Sequence, residues 1–121
     1  MTGADIEELK GVLDYLIKHY EKLENLEKRL SKLAEPDVEA MRLKIWKIAL
    51  GGLISKLKAF IDDLSRSENI AAVMDACKLR DEVSNLLREY SSEEDLIAPV
   101  RAALVKVYAE VLELCGEAPE S

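Results

Sequence analysis

Apolar residues return at alternating steps of three and four along the first part of the chain: Ile6, Leu9, Leu13, Leu16, Tyr20, Leu23 and Leu30, with Glu27 as the one polar intruder. That is a heptad stripe, and it predicts a helix over about residues 5–33. Asp5 and Glu8 are spaced as an N-cap and its capping-box partner. A 3.5-residue repeat drifts around an ideal helix, so left-handed supercoiled packing follows. Glu35-Pro36-Asp37 interrupts the pattern, because Pro36 disfavours helical geometry at Glu35 and Asp37 can cap a new start. A second helix is predicted over 38–64. Ile45, Ala49, Leu53, Leu57, Phe60 and Leu64 form one apolar row, and Trp46, Leu50, Ile54, Leu57 and Ile61 form another beside it. Together the rows cover about half the circumference, wider than the usual core stripe of about 100°. The rows keep their phase across Gly51-Gly52, so the helix is expected to continue through the pair.

Ser65-Arg66-Ser67-Glu68-Asn69 reads as the next connection. A third helix over 68–90 would turn Val73, Ala76, Cys77, Val83, Leu86, Leu87 and Tyr90 inward. After Ser91–Asp95, where Ser92 and Asp95 resemble a capping box, a fourth helix is predicted over 93–115. Its inner face is Val100, Leu104, Val107, Val111, Leu114 and Cys115. Pro99 starts or kinks its long part, Gly116 stops it, and the tail 117–121 is expected to fray. Short connections imply antiparallel neighbours. The expected fold is all-α: an antiparallel up-down-up-down four-helix bundle, one domain over 1–121, with long first and second helices.

Composition agrees. A chain of 121 residues, 49% hydrophobic and 34% charged, is globular and large enough to fold without metal or disulfide. Five Gly and three Pro supply too little turn material for a β-sandwich or barrel. Absent Gln, scarce Asn and abundant Glu, Lys and Leu lean toward a thermophilic source. The N-terminal residues carry neither a basic start nor an apolar run. The densest apolar stretch, Ile45–Ile54, holds Lys47 and is about half a membrane span. The expectation is a cytoplasmic protein with no membrane contact.

Chemistry is sparse. His19 is the only histidine, so one chain cannot supply a His pair or a two-His metal site. Its neighbours Tyr20, Glu21 and Lys22 crowd the ring, unlike the open histidine of phosphotransfer bundles. No Glu-x-x-His pair, nucleotide-binding glycine loop or Arg–His nuclease motif occurs. No catalytic residue, cofactor or metal is expected. Cys77 and Cys115 fall at apolar helical positions and at matching heights of helices 3 and 4. Helix pairs usually stand too far apart for a disulfide, and the cytosol opposes one. The two thiols are therefore expected to be near each other but reduced.

Two functional readings remain. The net charge of −7 hides a block over residues 18–58 with ten Lys/Arg against six Asp/Glu, a local +4. Lys28, Arg29, Lys32, Arg42, Lys44 and Lys47 could present a basic patch to nucleic acid, as in a small subunit of a nucleoprotein complex. The favoured reading is a non-enzymatic assembly or adaptor protein that associates through helices, with a protein partner and homo-oligomers. Its candidate interface is Trp46, Leu50, Gly51, Gly52, Leu53 and Ile54, because an arc this wide exceeds what two bundle neighbours need and a glycine pair admits a close helix. Trp46 is then expected to stay partly exposed in a lone protomer.

Overall fold

The computed structural model describes residues 6–32 and 38–116, and all of its regular structure is helical. Four helices follow one another: α1 (Ile6–Ser31), α2 (Val38–Ser65), α3 (Asn69–Glu89) and α4 (Glu94–Gly116). Asp5, Asp37 and the 117–121 tail lie outside the described residues. The helix ends agree with the apolar periodicity to within about two residues, and α2 runs unbroken through Gly51-Gly52. α4 likewise runs through Pro99.

Cross-helix contacts fix the order around the bundle. Glu27 meets Lys47 between α1 and α2. Trp46 packs on Tyr90 and Lys56 pairs with Glu82 between α2 and α3. Cys77 joins Cys115 between α3 and α4, and Lys106 pairs with Glu8 between α4 and α1. As the chain advances along one helix its contacts retreat along the neighbour: Tyr20 then Glu27 meet Gly51 then Lys47, Trp46 then Lys56 meet Tyr90 then Glu82, and Glu8 then Tyr15 meet Lys106 then Pro99, so these neighbours run antiparallel. The core is aliphatic around Trp46 and Phe60, with Leu9, Leu16, Leu50, Leu53, Leu57, Leu79, Ile97 and Leu104 sealed from solvent. Glu27, the polar intruder of the first stripe, is answered by Lys47 at 2.5 Å. That ion pair is largely sheltered, which is how a carboxylate is tolerated beside a core.

The connections are tight. After α2, Ser67 takes a left-handed conformation (φ 59°), Glu68 donates to the Asp63 carbonyl and Ser67 donates to the Leu64 carbonyl. This is a Schellman stop with serine where glycine is usual. α4 begins at Glu94, where the Glu93 carbonyl accepts the amides of Leu96 and Ile97. That is one residue later than a capping box on Ser92 requires. The Glu93 carboxylate turns instead to Arg42 at 2.6 Å.

One expectation about the cysteines is corrected. Their register is as deduced, but Cys77 and Cys115 are disulfide-bonded, with Cα atoms 5.1 Å apart. Around this point α3 carries the small residues Ala72, Ala76 and Cys77, so α4 approaches closer than helices separated by Leu or Ile allow.

Candidate interaction surface

α2 carries the whole candidate interface and half of the basic patch, and it lies between α1 and α3. Its inner face (Leu43, Trp46, Leu50, Leu53, Leu57, Phe60 and Ile61) is buried. The interface expected at Trp46, Leu50 and Leu53 is therefore corrected: all three are sealed inside the protomer's own core. Apart from Ile45, the wide apolar arc packs against the flanking helices and the interior of its own protomer. Trp46 stacks edge-on against Tyr90 with ring centres 4.6 Å apart, and its buried indole N–H has no hydrogen-bond acceptor. Ile54 is partly buried against the same core.

The glycine pair divides into two different cases. A Cβ at Gly51 would stand 3.2 Å from the Tyr20 ring, so this glycine makes room for a side chain of the same protomer. A Cβ at Gly52 would meet only a Glu82 carboxylate oxygen, at 3.9 Å. Inside the protomer nothing requires glycine there, although it costs the helix about 1 kcal/mol relative to alanine.

The outward side of α2 carries a feature that the sequence reading did not single out. Val38, Met41, Ile45 and Ile48 are 76%, 61%, 55% and 64% exposed. They recur at steps of three, four and three, so they form one straight row on the helix. Ile45 leaves the inward row expected for it, whose Leu53, Leu57 and Phe60 are buried, and stands on this outer line instead. The signal in the sequence was the 38–41–45–48 spacing itself, masked by the longer apolar rows that overlap it.

The basic residues are not equivalent. Arg42 is clamped by Glu39, Glu93 and Asp95, which hold its guanidinium above its ordinary pKa, with the hydrogen bond to Glu93 the largest cause. Lys47 is held by Glu27, whose hydrogen bond likewise raises the ammonium pKa, and it lies 5.8 Å from the Tyr20 ring centre. Two of the six patch residues thus spend their charge on carboxylates of their own chain. Lys28, Arg29, Lys32 and Lys44 are exposed.

Two clefts open on the α1 side. One of about 450 Å³ runs between α1 and α4, lined by Gly11, Val12, Tyr15, Pro99 and Ala103, with Glu8 and Lys106 at its rim. The Tyr15 hydroxyl donates to the Pro99 carbonyl beside it. The other, about 280 Å³, is floored by Leu23, Leu26, Leu30, Leu43 and Leu96 and edged by His19, Lys22, Glu39 and Asp95. Burial, then the Lys22 charge, lower the His19 pKa, and its Nε2 has no hydrogen-bond partner. A neutral ring is expected at pH 7. Among the described residues no three His, Cys, Asp or Glu side chains gather as metal ligands. No helix among them is long and apolar enough to cross a membrane.

A carboxyl pair bridges the last turn of α2 and the second turn of α3. Burial and the hydrogen bond with Asp63 raise Asp75 to about 6, while the same bond lowers Asp63. Below about pH 6 Asp75 holds a proton while Asp63 stays ionised. Arg66 sits on Asp63 at 3.3 Å.

No protein family, curated protein or solved structure matches this chain.

Proposed function

We propose that this protein is a non-enzymatic assembly protein that acts by holding a protein partner on the outer face of α2. The observation that carries this reading is the exposed row Val38–Met41–Ile45–Ile48, set on a helix whose opposite face already fills the core. A helix apolar on both sides belongs between neighbours on both sides. Isolated exposed apolar residues are ordinary on a protein surface; four in line, on one helix, form a contiguous patch of the kind used for association. Tyr15, Leu26, Ile70, Met74, Val105 and Leu112 are exposed as well, but they are spread over α1, α3 and α4, at most two to a helix, and only α2 lines up four.

The test replaces Ile45 and Ile48 together by lysine, since both side chains point away from the core. In extract of the native source at native expression level, the wild-type chain is expected to elute within an assembly larger than 13.6 kDa. The double variant, with unchanged helicity, is expected to elute as a lone chain. A wild-type chain that elutes alone at its native level would overturn the proposal.

A further inference from the structure

We infer that the occupant of this face is a second copy of the chain, lying antiparallel across α2 about a two-fold axis close to Ile48. The inference rests on the reading of the α2 face given above and names its partner.

The row does not stop at Ile48. Continuing the same alternation of four and three reaches Gly52, Ser55 and Ala59, so seven positions lie in one line from Val38 to Ala59. The first four are large and apolar; the last three are the smallest side chains available. Ser55 and Ala59 are exposed, and Gly52 is partly so. A parallel copy would set bulk against bulk at one end and leave a gap at the other. An antiparallel copy matches them: Val38 faces Ala59, Met41 faces Ser55, Ile45 faces Gly52, and Ile48 meets its own equivalent at the axis. Bulk opposite small is the arrangement that lets facing layers interdigitate without voids.

Gly52 is the independent observation. Its neighbour Gly51 is explained by Tyr20, but the space over Gly52 is empty apart from the Glu82 carboxylate at its edge. A side chain omitted at a helical position, with nothing in the protomer to use the room, fits an incoming group from outside. In the antiparallel pairing that group is Ile45 of the second copy. The size also suits. Wholly covered, the four exposed apolar side chains would bury roughly 500 Å² per protomer, so a symmetric pair would come to about the 1,000 Å² that a specific interface must clear, with the small residues and the flanking stems adding to it. The line from residue 38 to 59 is roughly 30 Å long at 1.5 Å per residue, and its two-fold pairing closes on itself without leaving an edge for further copies.

The experiment uses the purified full chain with its native disulfide, which occupies both cysteines of the sequence. Sedimentation equilibrium is expected to show a monomer–dimer equilibrium. Gly52→Leu should fill the notch and weaken the dimer at least about tenfold, which is 1.4 kcal/mol, while circular dichroism stays helical; Ile48→Lys should abolish the dimer. Orientation is read with a short bismaleimide. Met41→Cys chains mixed with Ser55→Cys chains should crosslink, and neither should crosslink alone. Crosslinking of Met41→Cys with itself would show a parallel pair and overturn the arrangement. A wild-type protein that stays monomeric at the highest soluble concentration would overturn the second-copy inference. If the extract assembly is nonetheless lost in the Ile45→Lys/Ile48→Lys variant, the partner is a different protein and the broader reading of the face survives.

Discussion

Removing the Cys77–Cys115 bond gives the most quantitative test of how this bundle is held together. The bond closes a loop whose ends are 38 residues apart in sequence and includes the whole α3–α4 connection. In the chain-entropy account, opening it returns freedom mainly to the unfolded chain, worth about 13 cal/mol/K, or about 4 kcal/mol at 25 °C. Unfolding a chain of 121 residues carries an entropy of roughly 0.25 kcal/mol/K near its midpoint, so the melting temperature should fall by about 15 °C. The perturbation is Cys77→Ala with Cys115→Ala, compared with the wild type before and after reduction by a phosphine. Thermal and urea melts followed by circular dichroism supply the midpoints. The native helicity should be unchanged, and reduced wild type and the double variant should melt together. The urea slope should rise in both, because the unlinked chain exposes more surface when unfolded. A loss under about 1 kcal/mol would refute the reasoning, since it would mean that the α3–α4 loop is already restricted in the unfolded state. A double variant that itself responds to reductant would show that the bond is not the element being measured.

Four further outcomes follow from the geometry. Trp46→Ala should cost about 3–5 kcal/mol as a large core truncation and destabilise the protomer itself, with the wild-type tryptophan blue-shifted and shielded from acrylamide; ready quenching would contradict its burial. Asp75 has a folded pKa of about 6 against 3.8 in the unfolded chain, so the folded state binds the extra proton and stability should decline as pH rises from about 4 through 6; Asp75→Asn should flatten that decline in pH-dependent urea melts, and an unchanged slope would count against the raised pKa. Ser67→Gly should gain about 1 kcal/mol by relieving a left-handed L-residue, visible as a raised urea midpoint. Measured at low concentration, Gly52→Ala should gain about 1 kcal/mol from helix propensity, and Gly51→Ala less, because its methyl group meets the Tyr20 ring at 3.2 Å; equal gains would mean that Tyr20 yields freely.

Much of the fold was legible in the chain because helix formation here is a matter of local period. The stripe from Ile6 to Leu30 and the row from Val100 to Cys115 each have one apolar side, so their inward face follows from spacing alone. α2 differs. Its Trp46 row and its Val38–Met41–Ile45–Ile48 line are both apolar, and spacing cannot rank two faces that differ only in what surrounds them. Packing settles it: Trp46 is inside and Ile45 is outside. Register along the third and fourth helices placed the two cysteines at one height, but their bonding depends on the distance between helix axes, which the small residues of α3 set. The Asp63–Asp75 pair was invisible for a related reason, since its members meet only once the α2–α3 turn has fixed how the helices slide. The Gly51-Gly52 pair looked like one signal and is two, because only one of the glycines has a neighbour in its own protomer.

The cleft between α1 and α4 gives the molecule a grain, as wood has. Of the four seams around the bundle, this is the one with least contact, bridged by the Tyr15 hydroxyl and the exposed Lys106–Glu8 pair. The adjoining seam, between α3 and α4, is covalently riveted. When such a body comes apart, it splits lengthwise: α1 swings out on its contact with α2 and bares Leu9, Val12 and Leu16 while the riveted half keeps its shape. Amide protons of α1 then trade with solvent through a small opening, and those of α3 and α4 wait for the whole protein to unfold. The bundle is thus a stiff half carrying a hinged leaf, with its weak line chosen by where the side chains leave room.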